Sequence, residues 1–182
     1  PCGTYNRITD VPGVRVGHCT VDTERHKTGV TVILPAPGNL FREKVVGAVH
    51  VINGYGKSAG LMQIAELGTI EAPIALTGTL NVGLVTDAMI AAVQAQCQSD
   101  GTGAIPSVNI PVGETNDGTL NDFSERAVGQ SEVFAALRDA QGSPAFALGD
   151  VGAGKGTICF GLKGGIGSAS RQMEIGGRTF TL

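Results

Sequence analysis

The sequence contains no tryptophan, and aromatic residues make up only 4% of its 182 residues. Flat aromatic surfaces on which bases could stack are therefore scarce. A run of basic residues is also missing: 13 lysines and arginines stand against 16 acidic residues, which gives a formal net charge of −3. Nucleic acid is not an expected partner, because phosphate backbones are bound mainly by clustered positive charge.

Long apolar runs and targeting segments are absent as well. No stretch has the ~20 consecutive apolar residues that cross a bilayer, and the first residues lack the basic and apolar parts of a signal peptide. No membrane partner is expected. The four cysteines form no C-x-x-C pair, which predicts a reduced, cytoplasmic protein. A chain of this length has room for one sizeable core, so we predict a single domain over residues 1–182.

Glycine, in contrast, is abundant, with 28 residues. It is concentrated in residues 149–171, GDVGAGKGTICFGLKGGIGSASR. Because glycine loses more conformational entropy on folding than any other residue, this density indicates a backbone that needs left-handed angles or very close packing. The spacing of Gly149, Gly154 and Lys155 resembles a phosphate-binding loop. However, Gly156 stands where that motif needs Ser or Thr, and β-branched residues follow it, so a nucleotide site is not favoured.

The hydrophobic pattern predicts strands that alternate with a few helices. Predicted strands cover residues 14–21, 28–34, 45–52, 73–77, 107–112, 157–162, 166–175 and 178–182. Predicted helices cover residues 61–67 with Ser58 as the cap, 82–98, and 131–141 with Ser131 as the cap. The first two strands form a hairpin at a sheet edge, and a Gly176-Gly177 turn joins the last two. This order favours an α+β or layered fold over a doubly wound parallel sheet.

Polar residues gather at two strand-end turns flanked by glycine. At the first, Glu114 could pair with a substrate ammonium and Asn116 could donate to an oxyanion; the alternative is an Asx-type turn in which Glu114 and Asp117 are simply solvated. At the second, burial of Lys163 would lower its pKa and suit it to accept a proton or bind an oxyanion. Its alternative is a lysine that extends from a strand edge into water.

No complete catalytic set is present in the sequence. The G-x-S-x-G elbow is missing, and no serine or cysteine is paired with a histidine by any motif. His18 and His26 lack further ligands at metal spacing, so both are interpreted as structural or solvent-facing. Neither a cofactor nor a metal is predicted.

Six segments, taken together and in order, resemble the L-aminopeptidase/D-esterase family, which includes the β-peptidyl aminopeptidases, the nylon-oligomer hydrolases and a pantetheine hydrolase. Among them are INGYGKSAG, PIALTGTLNVGLV, PVGETNDGTLND and the glycine-rich segment. The full set covers residues 6–18, 28–35, 52–60, 73–85, 111–122 and 149–171.

The resemblance implies an α+β fold of a particular kind, the four-layer αββα sandwich of the self-processing N-terminal-nucleophile hydrolases. In that family a precursor cuts itself, and the new N-terminal Ser or Thr of a β chain becomes the nucleophile. The present sequence then corresponds to most of an α chain. Its expected partners are a companion β chain from the same precursor and further copies, in a homo-oligomer of αβ units.

Matched to the family motifs, Glu114 is the candidate substrate-binding residue, and Lys163 and Asn116 are the candidate catalytic residues. Glu114 falls where relatives recognise the substrate amine, and Lys163 matches a lysine of the nylon-oligomer branch. Asn116 is a departure, because relatives often carry a tyrosine at this position of the oxyanion hole. A phenol and an amide differ in reach, so oxyanion geometry and substrate range are expected to differ too.

The sequence as a whole predicts an amide hydrolase that releases N-terminal amino acids from peptides or small amides, with β- and ω-amino acids among the candidates. The GLKGG spelling of residues 161–165 favours the nylon-oligomer and pantetheine branch. Two alternatives are an acyltransferase of the ornithine acetyltransferase type and a non-catalytic scaffold homologue. A second chain that begins with Ser or Thr would separate the enzymes from the scaffold.

Overall fold

The computed structural model describes residues 1–182 as an α+β arrangement. The strands are β1 (Arg15–Asp22), β2 (Lys27–Leu34), β3 (Val45–Val46), β4 (Thr69–Ile70), β5 (Ile74–Gly78), β6 (Val112–Thr115), β7 (Ile158–Cys159), β8 (Leu162–Lys163), β9 (Gln172–Ile175) and β10 (Arg178–Thr181). The α-helices are α1 (Leu61–Leu67), α2 (Val82–Ser99) and α3 (Gln130–Asp139). Short 3₁₀ turns lie at Ile8–Asp10, Thr79–Asn81 and Gly152–Gly154.

One four-stranded sheet, in the order β1-β2-β5-β6, forms the centre. Strands β1 and β2 form the predicted edge hairpin, and β2 pairs antiparallel with β5. Strand β6 pairs parallel with β5, and α2 lies between them in the sequence as the crossover that a parallel pair requires. The remaining strands pair as three separate two-stranded ribbons: β3 with β4, β7 with β8, and β9 with β10.

One face of the sheet carries the core. Side chains of successive strand residues point to opposite faces, and Val30, Val32, Ala75 and Val112 pack against α2 and α3 with almost no exposure. From the helices, Val85, Met89, Val133 and Ala136 complete the contact. Gly17 of β1 lies on this face too, because a methyl group there would come within 2.2 Å of the Ala136 carbonyl oxygen in α3.

The opposite face is covered partly by the glycine-rich segment. The backbone amides of Gly152 and Ala153 donate to the hydroxyls of Thr20 in β1 and Thr31 in β2. Gly152 adopts φ +52°, and a methyl group there would be 2.4 Å from Thr31 Oγ1. The predicted need for close packing and left-handed angles in this segment is therefore confirmed.

Several predicted elements have different bounds in the structure. The apolar run 45–52 forms a strand only at Val45–Val46, and Ile52 is 89% exposed. Strand β6 begins at Val112, where the predicted strand was to end. Residues 157–162, predicted as one strand, form together with Lys163 a small and mostly exposed hairpin of β7 and β8. The helix caps are Gly60 and Gly129 in place of Ser58 and Ser131.

No helix is both long enough and apolar enough to cross a membrane.

Candidate active site

The parallel pairing of β5 and β6 determines where the first candidate residue lies. Parallel strands end at the same edge of a sheet, and Gly78, the last residue of β5, pairs in register with Thr115, the last residue of β6. Glu114 and Thr79 therefore meet at this edge, which we call the carboxyl edge of the sheet. The Thr79 hydroxyl donates to Glu114 Oε1 at 2.6 Å.

The second carboxylate oxygen of Glu114 is also held. The backbone N–H of Lys57 donates to Oε2, and a methyl group on Gly56 would lie only 3.3 Å from the same atom. Loop 53–60 is thus fitted against the carboxylate. A carboxylate has about four lone-pair sites, so one accepted bond at each oxygen leaves room for an ammonium group. The side chain is half-buried, which leaves it within reach of a ligand.

Asn116 and Asp117 follow directly after β6 and behave differently. Asn116 is exposed, and its Oδ1 accepts the backbone N–H of Gly118 at 3.1 Å, so Asn116 forms the Asx turn. Its Nδ2 donates to no group in the chain, which leaves this amide available to an oxyanion. Asp117 is only 5% exposed and accepts the Thr28 hydroxyl at 2.6 Å. The prediction of a solvated Asp117 is wrong, and burial raises the pKa of its carboxyl group.

A cavity of about 240 Å³ opens beside these residues. We call it the carboxyl-edge cavity. Its lining includes Thr79, Asn81, Asn116, Asp117, Asn121 and Arg126. Because Thr79 both lines this cavity and holds Glu114, the cavity and the carboxylate belong to one region.

Lys163 lies in the hairpin of the glycine-rich segment. Its side chain is 41% exposed, so of the two alternatives the buried lysine is not found. Its Nζ donates to the carbonyl oxygens of Gly154 at 3.0 Å and Gly164 at 2.6 Å, and it lies 3.0 Å from Asp150 Oδ1. An ammonium has three N–H groups, and all three have acceptors here. Lys163 thus fastens the hairpin to the Gly152–Gly154 turn.

Two hydrogen bonds connect Lys163 to the carboxyl edge of the sheet. Thr115, which lies between Glu114 and Asn116, donates through its hydroxyl to the Ala153 carbonyl oxygen at 3.2 Å. The next carbonyl, that of Gly154, accepts the Lys163 ammonium. The three candidate residues are therefore brought to one region of the molecule, although Lys163 makes no direct contact with Glu114 or Asn116.

A charged network strengthens the attachment of this segment. Lys155 Nζ lies 2.6 Å from Asp150 Oδ2 and 2.7 Å from Asp22 Oδ2, at the end of β1. The carboxylate of Asp150 is the largest cause that raises the pKa of Lys155, and the carboxylate of Asp22 adds to it. The ammonium of Lys155, with a smaller contribution from Lys27, lowers the pKa of Asp22 to about 2.

His18 connects the sheet to loop 142–151 on the side away from the core. Its Nδ1 lies 2.9 Å from Thr31 Oγ1 and its Nε2 lies 3.1 Å from the Ala147 carbonyl oxygen. Since a carbonyl only accepts, Nε2 carries the proton and Nδ1 accepts the Thr31 hydroxyl. Thr31 in turn accepts the Ala153 N–H at 3.1 Å. The neutral ring is thus satisfied at both nitrogens, and it plays the structural part predicted for it.

We expect acid to weaken this connection. Burial lowers the pKa of His18 below 6.5, while the Ala147 carbonyl and Asp139 oppose the shift. A folded-state pKa below the unfolded one gives stability that is present above about pH 6.5 and is lost as the pH falls. Between pH 7.5 and pH 5 the wild type should therefore lose more unfolding free energy than His18→Gln, which does not titrate. Urea unfolding at several pH values measures both; parallel pH profiles would contradict the prediction.

The model of peptidase family S58 matches residues 6–182. The chain belongs to this family. Among its S58-like relatives, β-peptidyl aminopeptidase BapA of Sphingosinicella xenopeptidilytica is 40% identical over 190 residues, which cover 99% of this chain and 46% of BapA. The recognition made from the six segments is confirmed.

Solved structures place the S58 chain in the expected fold. The PH0078 protein of Pyrococcus horikoshii OT3 superimposes with a TM-score of 0.90 at 44% identity, over 100% of this chain and 53% of that one. The L-aminopeptidase D-Ala-esterase/amidase of Ochrobactrum anthropi, described as a variant of the Ntn hydrolase fold, gives 0.88 at 34% identity over 100% and 52%. The predicted α+β, N-terminal-nucleophile-type fold is confirmed. The chain spans about half the length of the relatives that it matches.

Three further residues of the candidate site were not predicted from the sequence. Thr79 and Lys57 contact Glu114 from 35 and 57 positions away, and Asn81 lines the cavity. A signal existed for Thr79 and Asn81, since polar residues directly after the buried strand β5 repeat the pattern that drew attention to Glu114 and Asn116. The contact of the Lys57 backbone had no such signal, because any residue supplies an N–H.

Proposed function

We propose that the full-length protein is an aminopeptidase that hydrolyses the amide bond after an N-terminal amino acid, with β- and ω-aminoacyl groups among its substrates. The observation that carries this proposal is the Glu114 carboxylate, held at both oxygens beside an open cavity within an S58 chain. In this role Glu114 binds the free amine of the substrate. The names of the relatives, a β-peptidyl aminopeptidase and an aminopeptidase that is also an esterase and amidase, support this class of substrate.

In the proposed reaction a Ser or Thr hydroxyl attacks the amide carbonyl, and its own α-amine accepts the proton. That residue begins a companion β chain, cut from the same precursor. The Nδ2 group of Asn116 donates to the oxyanion that forms on the carbonyl oxygen. The amine leaves with a proton, and water then releases the amino acid from the ester intermediate. Domain 1–182 supplies recognition and orientation in this scheme, in a cytoplasmic homo-oligomer of αβ units.

Lys163 is proposed to act by holding the Gly152–Gly154 turn in place next to the reacting groups. The side chains of Lys163 and its ion-pair partner Asp150 are 41% and 52% exposed. Surface ion pairs contribute little to stability, about 0–1 kcal/mol. Lys163→Ala should therefore lower turnover by tenfold or more while it changes the thermal midpoint by only a few degrees. Activity and thermal unfolding of the full-length protein measure both quantities. Wild-type turnover in the variant would mean that Lys163 is an ordinary surface lysine.

The proposed function itself is tested with the full-length gene product. Intact mass spectrometry should show two polypeptides, the smaller of which begins with Ser or Thr. The full-length protein should release aniline from β- or ω-aminoacyl anilides that have a free amine. It should release aniline at least tenfold more slowly from the N-acetylated forms. Transfer of the acyl group to an added amine in preference to water would favour the acyltransferase alternative. A single polypeptide without activity on any of these substrates would favour the scaffold.

A further inference from the structure

Asn81 is buried without a hydrogen bond for its side-chain oxygen. The residue is 4% exposed, and Oδ1 has no partner. Buried polar groups in native proteins nearly always have a hydrogen-bond partner, because a buried polar group without a hydrogen bond lowers stability. The side chain also lines the carboxyl-edge cavity. An unpartnered amide beside a cavity calls for an explanation other than stability.

Helix capping does not supply that explanation. Asn81 directly precedes the 18-residue helix α2, a place where asparagine is favoured because its oxygen accepts an N–H of the first turn. Here its backbone is already helical, with φ −92° and ψ −10°, and the side chain makes no capping bond. The carboxamide of Asn81 is therefore available to a group that enters the cavity.

The other groups of the cavity indicate what kind of ligand fits. The Arg126 guanidinium favours negative charge, whereas the buried Asp117 opposes it, and Glu125, which also lines the cavity, is paired with Arg25. A neutral group with both an N–H and a C=O matches this balance better than an ion. The terminal torsion of asparagine has a broad range, so a small turn of the carboxamide presents Oδ1 to such a group. Amides have the required N–H, and esters do not.

We propose that Asn81 binds the N–H of a substrate amide in the carboxyl-edge cavity, next to the carboxylate that takes the free amine. Asn81 is then a binding residue that makes the site prefer amides over esters of the same acyl group. This inference rests on the proposed aminopeptidase function and adds to it the group that is recognised beyond the amine. The Thr79 side chain, which contacts Glu114 and lines the cavity, places the two recognition points side by side.

The test compares a matched pair of substrates in the full-length protein: a β-alanyl anilide and the corresponding β-alanyl phenyl ester. Asn81→Ala should lower kcat/KM for the anilide by about tenfold and change that for the ester by less than twofold. Its thermal midpoint should stay the same or rise, because an unsatisfied buried group has been removed. Asn81→Asp, which keeps an acceptor in the same shape, should retain the wild-type ratio of anilide to ester rates.

Asn109→Ala serves as the matched control, because Asn109 Nδ2 donates to the Gly60 carbonyl oxygen at 2.9 Å. It should lower the thermal midpoint and leave the substrate ratio unchanged. Equal losses on anilide and ester in Asn81→Ala, or a loss of the ratio in Asn81→Asp, would overturn the proposal for Asn81 alone. If the wild type hydrolyses neither substrate, the aminopeptidase function falls, and the role of Asn81 falls with it.

Discussion

Glu114→Gln should lower kcat/KM about 10- to 150-fold for substrates with a free amine and leave N-blocked substrates within about twofold of the wild type. Hydrogen bonds to charged groups contribute about 1.5–3 kcal/mol, and each 1.36 kcal/mol is a factor of ten in rate. Glutamine has nearly the same shape and can still accept the Thr79 hydroxyl. Its NH2 group takes the place of the oxygen that accepts the Lys57 N–H, so the change removes the charge and this one hydrogen bond. Steady-state kinetics on a free-amine anilide and its N-acetyl form give the two ratios.

The contacts of Glu114 offer a second variant with a smaller effect. Thr79→Val removes the hydroxyl that donates to Oε1 but keeps the carboxylate charge, so we expect a several-fold rise in KM for free-amine substrates with kcat nearly unchanged. Thr79→Ser keeps the hydroxyl and should restore the wild-type KM.

Equal losses on free and N-blocked substrates in Glu114→Gln would show that Glu114 does not bind the amine.

Gly17→Ala should strongly destabilise the fold. The added methyl group would lie 2.2 Å from the Ala136 carbonyl oxygen and 2.3 Å from the Ala140 nitrogen. Both are backbone atoms of α3 or its end, and Ala136 is fully buried, so nothing flexible can move aside. Overpacking of this kind costs about 1–3 kcal/mol, occasionally more. The midpoint and slope of urea unfolding measure the loss in free energy.

A matched control isolates this steric effect. A methyl group on Gly54 would meet no atom within 4 Å, and this glycine does not have a left-handed backbone. Gly54→Ala should therefore be neutral or stabilising by up to about 1 kcal/mol, through the unfolded state. If Gly17→Ala unfolds at the same urea concentration as the control, then α3 does not pack against β1 as described.

The elements that the sequence predicted well are those whose pattern is long and regular. Strands β1 and β2 and helix α2 have nearly their predicted bounds, because the side-chain pattern of each one gives it a single face to bury. In the C-terminal hairpin the turn is where it was predicted, but β9 begins only at Gln172, six residues after the predicted start. The run 45–52 failed for the opposite reason. It is apolar almost throughout, so no face is preferred, and its pairing partner β4 has only two residues. An apolar run indicates a strand only where another strand is available to pair with it.

The candidate site shows the same division. Glu114 and Asn116 could be found from the sequence because polar residues at the end of a buried strand are unusual. Of the two alternatives for Lys163, the buried one is wrong, since its apolar neighbours Phe160 and Leu162 are themselves exposed, at 101% and 73%. Asn81 follows a buried strand in the same way, but only the three-dimensional structure shows that its side-chain oxygen is buried without a partner. Contacts between distant segments depend on the sheet order, which local patterns do not fix.

The crossover through α2 also places the proposed substrate-binding residues and the loop of residues 100–111 at opposite ends of the sheet. Helix α2 starts at the carboxyl edge of the sheet, and β6 returns to that edge. The connection at residues 100–111 must therefore lie at the far end of the sheet. Gly101 and Gly103 there have positive φ angles and open space around them, and doubling the length of a flexible loop costs only about 0.6 kcal/mol. Homologues can thus insert or delete residues in this loop, and a dye or affinity tag can be attached to it, without moving Glu114 relative to Thr79.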